Sequence, residues 1–127
     1  MPPSKLNIVA AAARQITKTW DPHIVGDVNT AQVKVAKFGA LFDWHQHDDE
    51  DEAFFVLRGR IVIDFRDGAV EMDEGDFLVV PKRIEHRPRS LTKEPIVLMF
   101  EPATTRNTGD AESDHTVERL KRLNTGP

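Results

Sequence analysis

The chain has 127 residues, 39% of them hydrophobic, which suits one domain with one ordinary core. Its formal net charge of -4 argues against a general electrostatic attraction to nucleic acid or to an anionic membrane, so neither is expected as a partner. There is no cysteine, which excludes disulfides, thiolate zinc sites and a thiol nucleophile, so any metal must be held by nitrogen and oxygen.

The N-terminal segment, residues 1–20, is predicted to carry a helix that lies on the rest of the domain, with Ser4 as a candidate cap. The apolar residues that recur there at helical spacing are Leu6, Val9, Ala13, Ile16 and Trp20. Its longest apolar run, residues 8–13, is shorter than the hydrophobic region of a secretory signal, and no run in the chain approaches the length of a membrane span. A cytoplasmic location is therefore expected.

Residues 24–101 change to short runs rich in Val, Ile and Phe, separated by glycine-containing turns. The predicted strands are residues 32–38, 53–57, 61–65, 77–80 and 95–100. Regular short strands with such turns indicate an antiparallel sandwich or barrel.

Residues 102–127 form the predicted C-terminal arm, which is polar as far as Asp114. A short helix capped by Asp114 is expected after it, because Val117, Leu120 and Leu123 would share one helical face. At under three turns this helix would be marginal alone, so it must pack on the barrel or on a second subunit.

Two spaced motifs supply candidate metal ligands. The first reads G-x5-H-x-H-x4-E-x6-G and consists of Gly39, His45, His47, Glu52 and Gly59. Two histidines one residue apart on a strand point to the same face, about 6.5 to 7 Å apart, and a carboxylate from the next strand can reach the same point. The second motif reads G-x5-P-x4-H and consists of Gly75, Pro81 and His86. The pattern predicts one metal ion held by His45, His47, Glu52 and His86.

Together the two motifs resemble those of the cupin superfamily, in particular its small single-domain members of the cupin 2 type, over residues 24–101. The second motif departs from the family at Arg83, where glycine is usual, and at Ser90, where asparagine is frequent. The resemblance implies an all-β fold, a double-stranded β-helix or jelly roll, that forms a single domain over residues 1–127. It also implies a homodimer, since small cupins commonly pair.

Arg83 stands where the family's glycine permits a positive φ angle in a tight turn. A non-glycine residue there would cost on the order of 1 kcal/mol or adopt another turn. Two interpretations of its side chain stay open: a plain exposed arginine, which is favoured, and a cation for an acidic substrate.

The donor set predicts which ions can bind. Three imidazoles and one carboxylate suit a divalent transition metal (Fe, Mn, Ni, Zn, Cu or Co), whereas calcium and magnesium prefer more oxygens. Four protein ligands on an octahedral ion leave two positions open, which is typical of reactive rather than structural sites. The acidic run of residues 48–51 does not fit an EF-hand, because the sixth position of such a loop is not glycine here. Each ligand taken alone could instead be an ordinary surface or paired side chain.

Because every second residue of a strand points to the same face, the sequence predicts the walls of a substrate pocket. Phe54 and Val56 share a face with Glu52, and Ser90 shares one with His86, so the pocket would be mostly apolar. A Glu52 that swings off the metal could serve as a general acid or base.

The function expected from these residues is that of a metal-dependent enzyme acting on a small polar metabolite, of the dioxygenase, isomerase, epimerase or decarboxylase type. One fold does not imply one activity. A non-catalytic module that binds a sugar or another small molecule at the same metal is the first alternative, and a barrel that the metal only braces is the second.

Overall fold

Within residues 1–125, which the computed structural model describes, the chain forms one helix and nine strands. Helix α1 spans Ile8–Gln15. The strands are β1 His23–Val28, β2 Ala31–Lys37, β3 Glu52–Arg58, β4 Ile61–Phe65, β5 Gly68–Met72, β6 Phe77–Val80, β7 His86–Ser90, β8 Ile96–Pro102 and β9 Lys121–Arg122.

The strands form two sheets that enclose one core. The larger sheet has the order β6-β3-β8-β2-β1-β9 and the smaller one β5-β4-β7, and every pairing is antiparallel except that of β1 with β9. Inward-facing residues alternate along the strands, as with Phe54 and Val56 on β3 and Ile61 and Ile63 on β4, and they bury one another in a single cluster. The predicted all-β jelly-roll fold is confirmed.

All five predicted strands are present, with bounds that shift by two residues at most. Strands β1, β5 and β7, and the two-residue β9, were not among them. Strand β1 contains Gly26, β5 has only one buried residue, Met72, and β7 has the sequence HRPRS, so none carries the apolar run by which a strand is recognised.

Helix α1 is shorter than the predicted segment. Its N-cap is Asn7, not Ser4, because the Asn7 side chain accepts a hydrogen bond from the backbone N–H of Ala10 at 3.0 Å. Trp20 lies beyond the helix with a φ of 60° and enters the barrel core. The buried helical residues are Ala11 and Ala12, which with Ile16 pack on the outer face of the larger sheet, whereas Ala13 is exposed. In the described residues no helix is long and apolar enough to cross a membrane.

The predicted C-terminal helix is wrong for residues 102–125, the described part of the arm. This segment makes turns and then adds β9 beside β1. Polar side chains accept hydrogen bonds from backbone N–H groups that a helix would pair with carbonyls. The side chain of Asn107 accepts from the N–H of Val117 at 2.9 Å, and that of Thr116 accepts from the N–H of Ser113 at 3.1 Å. Leu123 alone of the three predicted helix-face residues is buried.

Candidate metal centre

The two motifs meet at the junction of the two sheets. His45 lies in the loop between β2 and β3, Glu52 begins β3, and His86 begins β7. His45 and His86 form an isolated β-bridge, in which the N–H of His45 donates to the carbonyl of His86 at 3.0 Å and the N–H of His86 donates back at 2.9 Å. This bridge sets the spacing of two candidate ligands by backbone contacts rather than by side-chain packing.

The four predicted ligands come together in the interior. One nitrogen or oxygen of each of His45, His47, Glu52 and His86 lies within 4.8 Å of the others. Their exposed fractions are 3%, 3%, 6% and 1%, respectively. Four buried polar side chains this close together would be costly in an apolar core without a common partner.

Two of the three candidate histidine rings are oriented by backbone carbonyls two residues upstream. Nδ1 of His45 donates to the carbonyl of Asp43, and Nδ1 of His86 to that of Ile84, each at 2.9 Å. Because a carbonyl only accepts, Nδ1 carries the proton in both neutral rings and Nε2 keeps a free lone pair.

The nitrogens converge on one carboxylate oxygen. Oε1 of Glu52 lies 3.1 Å from Nε2 of His47 and 3.6 Å from Nε2 of His86. Nε2 of His86 is buried and has no hydrogen-bond partner among the described residues. An orphaned, unprotonated nitrogen beside a carboxylate is what a cation would satisfy, so these residues fit a metal ion.

Burial and neighbouring groups shift the pKa values of three of the four candidate ligands. Burial, reinforced by the nearby His86, lowers the pKa of His45 to about 4, so this ring is neutral at ordinary pH. Burial opposes the ionisation of Glu52, but its interactions with Glu101 and then with His47 outweigh burial and hold its pKa well below the usual range. For His47, burial is outweighed by the Glu52 carboxylate, which raises its pKa.

A second buried carboxyl group, that of Glu101 on β8, lies beside Glu52. Nζ of Lys34, on β2, donates to Oε1 of Glu101 at 2.9 Å and to the carbonyl of Thr105 at 3.3 Å. Burial and the neighbouring Glu52 raise the pKa of Glu101 well above its usual value. Sequence reasoning missed this pair. The available signal was the alternation of side chains along a strand. Glu101 lies two residues after Met99 on β8 and therefore points to the same face.

A small cavity of about 40 Å³ adjoins the candidate ligands. Its lining consists of Trp20, Pro22, Ala36, Phe38, Phe42, His45, Glu52, Phe54, Pro88, Met99, Glu101 and Asn107. Of the three predicted pocket residues, Phe54 lines this cavity. Val56 is fully buried in the core, and Ser90 is half-buried at the far end of β7, so neither belongs to the lining. The aromatic residues of the loops, such as Trp20 and Phe42, carried no sequence signal of this role.

Arg83 adopts the left-handed conformation that the family's glycine would permit, with a φ of 69°. Its N–H donates to the carbonyl of His47 at 2.7 Å, so the turn supports the loop that carries two ligands. The Arg83 side chain is exposed, donates to the carbonyl of Asp48 at 3.3 Å, and does not belong to the cavity lining.

Comparisons with known proteins find similarity in both sequence and structure. Residues 32–100 match the Cupin_2 family model, which describes a cupin domain. The uncharacterized protein YdbB of Bacillus subtilis (strain 168) is 35% identical over 91 residues, which cover 71% of this chain and 80% of YdbB. A cupin-2 domain containing protein from Shewanella frigidimarina superposes with a TM-score of 0.72 at 32% identity, over 76% of this chain and 93% of that chain. Protein NMB1881 from Neisseria meningitidis superposes with a TM-score of 0.69 at 30% identity, over 78% and 99%.

Proposed function

The chain belongs to the Cupin_2 family of cupin domains, and from this premise we propose that it is a metal-dependent enzyme acting on a small metabolite. One divalent transition metal is held by His45, His47, Glu52 and His86. The observation that carries the proposal is the buried convergence of these four side chains, with one nitrogen of His86 left without a partner.

The donor set favours Fe, Mn, Ni, Zn, Cu or Co over calcium or magnesium, because imidazole nitrogen outnumbers oxygen. Such an ion supplies Lewis acidity or, if it is redox-active, oxidation chemistry. The protein keeps His45 neutral and Glu52 ionised, so two of the four donors are ready to coordinate at neutral pH.

The position of Glu52 favours a reactive centre over a brace for the fold. Glu52 and His45 both line the cavity, so a molecule that enters it meets the candidate ligands directly. Glu52 is also the candidate general acid or base, since its carboxylate contacts two imidazoles and faces the cavity.

The test compares two variants for metal content, small-molecule binding and turnover: one lacks a candidate metal ligand, and the other is its control. His47→Ala removes one candidate donor. His23→Ala is the matched control, because His23 is equally buried and its Nδ1 contacts the carbonyl of Asp21 at 2.9 Å, yet it lies outside the donor group. Elemental analysis of untagged protein is expected to find about one ion per chain in the wild type and in His23→Ala, and far less in His47→Ala.

The three functional hypotheses differ in what else His47→Ala removes. Loss of turnover supports the enzyme, whereas loss of binding without any turnover in the wild type supports a non-catalytic binding module. A fall in melting temperature alone supports a metal that only braces the barrel. A wild type that contains no stoichiometric transition metal contradicts the proposal.

A homodimer is the second part of the proposal. Helix α1 covers only part of the outer face of the larger sheet, around Val35 and Ile96. The rest carries exposed apolar side chains, and Phe77, Val79 and Phe100 are 62%, 46% and 41% exposed. Their strands are neighbours through β3, so these residues form one patch, and contiguous apolar patches of this kind mark contact surfaces.

A further inference from the structure

A second and larger cavity lies between the C-terminal arm and the larger sheet. Its volume of about 440 Å³ is within the range of small-molecule sites. The sheet side is formed by Ile24 on β1 and Lys34 on β2, which pair across the two strands, and the arm side includes residues 103–107 and 117–120. This arm cavity shares one lining residue, Asn107, with the small cavity beside the candidate metal ligands, and its lining includes none of those ligands.

One part of the arm cavity is apolar. Ile24, Val117 and Leu120 line it, and all three are half-buried, so part of their surface is in contact with water. An aliphatic chain placed against them would remove that surface from water. Each methylene group buried in this way increases affinity by about fourfold.

The charged part of the lining has an excess of cations. Its charged residues are Lys34, Arg106 and Arg119, with Glu118 as the one carboxylate. Lys34 is already paired, because its Nζ donates to Oε1 of the buried Glu101 at 2.9 Å. Two guanidinium groups therefore face one carboxylate in the lining, which leaves a single positive charge for a ligand.

Arg106 has hydrogen-bonding capacity to spare. Its Nε is buried and has no hydrogen-bond partner among the described residues. Its Nη2 lies 3.3 Å from the carboxylate of Glu118 and 3.6 Å from that of Glu112, whose side chains are 75% and 83% exposed. Because ion pairs with such exposed partners are weak, a ligand carboxylate can take over the N–H groups of this guanidinium.

From this lining we propose that the arm cavity binds a monocarboxylate with a short aliphatic chain. The carboxylate is held by Arg106 with support from Arg119, and the chain lies against Ile24, Val117 and Leu120. One positive charge in excess suits a monoanion better than a phosphate group, whose charge at neutral pH is nearer to two. The binding of this acid does not rest on the proposed metal, since none of the candidate ligands lines the arm cavity.

The test compares four probes by isothermal titration calorimetry at neutral pH. Hexanoate has the proposed carboxylate and chain, hexanol keeps the chain without the charge, acetate keeps the charge without the chain, and hexyl phosphate carries the larger charge. Hexanoate is expected to bind at least about tenfold more tightly than hexanol or acetate. Hexanol or acetate binding as tightly as hexanoate, or hexyl phosphate binding more tightly, would overturn the proposal.

Two arginine substitutions locate the binding. Arg106→Gln removes the guanidinium of the arm cavity, and Arg60→Gln is the matched control, because Arg60 also contacts two carboxylates, those of Glu71 and Asp73, but lies outside this lining. Arg106→Gln is expected to weaken hexanoate binding by about tenfold or more and to leave hexanol binding unchanged, whereas Arg60→Gln should change neither. Arg119→Gln, at an exposed position, gives a second measurement if Arg106→Gln folds poorly.

Hexanoate binding that is unchanged in Arg106→Gln and in Arg119→Gln would contradict the assignment to the arm cavity. His47→Ala separates this site from the candidate metal centre, where a carboxylate could also bind. Hexanoate affinity within about twofold of the wild type is expected in His47→Ala, even when its metal is lost. If His47→Ala loses hexanoate binding together with its metal, the acid binds at the metal, so the arm-cavity proposal fails and the proposed function stands.

Discussion

At the scale of single residues, the candidate centre depends on how each imidazole is held. His45 and His86 use the same device, a Nδ1 hydrogen bond to the carbonyl two residues before, which leaves Nε2 free to coordinate. His47 differs, because its Nε2 contacts the Glu52 carboxylate and its pKa is raised, with the attraction to Glu52 outweighing burial. Protons therefore compete with a metal ion most effectively at His47.

This difference predicts the pH dependence of metal affinity. A raised pKa means that His47 takes up a proton at a higher pH than a free histidine, and that proton must leave before a metal binds. His45, with a pKa of about 4, adds competition only in strongly acid solution. Competition with a colorimetric chelator from about pH 8 to about pH 5 should find affinity falling by about tenfold per pH unit once the pH is below the pKa of His47. Constant affinity over this range would contradict histidine ligation.

Gly109 is one of the residues at which the C-terminal arm contacts the loop that carries His45 and His47. Its φ is 56°, and a Cβ atom there would lie 2.2 Å from the carbonyl oxygen of Gln46 and 3.2 Å from Cδ2 of His45. Gly75 has a comparable φ of 90° but open space around it. Substitutions at the two glycines can therefore distinguish the effect of backbone strain from the effect of a Cβ atom that lies too close to its neighbours.

Gly109→Ala is expected to destabilise the fold by clearly more than the roughly 1 kcal/mol of left-handed strain that Gly75→Ala should cost. Because the displaced carbonyl lies between His45 and His47, Gly109→Ala should also weaken metal binding, and Gly75→Ala should not. Urea unfolding and metal titration of both variants measure the two effects. Equal effects of the two substitutions would mean that the arm does not position the ligand loop.

At the scale of elements, the described part of the C-terminal arm contains the two-residue strand β9, and the buried Leu123 follows it directly. The N–H of Leu123 donates to the carbonyl of Ile24 at 2.9 Å, and its side chain joins the cluster formed by α1, Val35 and Ile96. Leu120, three residues earlier, is only half-buried. The two leucines that flank β9 therefore differ in burial, whereas the predicted helix would have buried both.

Leu123→Ala should lower the free energy of unfolding by about 2 kcal/mol or more, and Leu120→Ala by clearly less. The reason is that only Leu123 leaves a cavity against packed neighbours when it is truncated. Chemical denaturation of the two variants gives the comparison. Similar losses for both leucines would favour a helix over the observed strand.

The sequence predicted the elements whose residues alternate or repeat, and it failed where polar contacts decide the conformation. The β2 and β3 segments and the existence of α1 follow from apolar periodicity. The arm has a helical apolar pattern, yet Asn107 and Thr116 hydrogen-bond the backbone into turns. Such contacts join residues that are distant along the chain or depend on side-chain geometry, and no local pattern encodes them.

The same division applies to the candidate site. His45, His47, Glu52 and His86 were found because motif spacing is a property of the chain. Glu101 and its partner Lys34 were missed, because a buried hydrogen bond between residues 67 positions apart forms only when β2 and β8 are in register.

At the scale of the whole molecule, the two sheets differ in how their outer faces are covered. The smaller sheet presents Arg87 and Arg89, both of which contact Asp64. The larger sheet presents the patch that includes Phe77 and Phe100, beyond the reach of α1. Among the described residues, the outer face of the larger sheet is thus the one that carries the apolar patch of the proposed homodimer contact.

Phe77→Glu is therefore expected to convert a homodimer into a monomer, because it buries a charge without a partner in an apolar contact. Val70→Glu is the matched control, since Val70 is exposed on β5 of the other sheet. Light scattering on size-separated protein measures the mass of each. A wild type that is monomeric at micromolar concentration, or a Phe77→Glu variant that stays dimeric, would contradict the proposed contact.

The backbone bridge between His45 and His86 has a consequence for redesign. Because main-chain atoms hold these two positions together, any side chain installed at either one departs from the same point in space. Exchanging imidazole for thioether or carboxylate there would alter donor softness while leaving the scaffold's geometry intact. Substitutions at these two positions are therefore expected to change which metal ion the proposed site prefers.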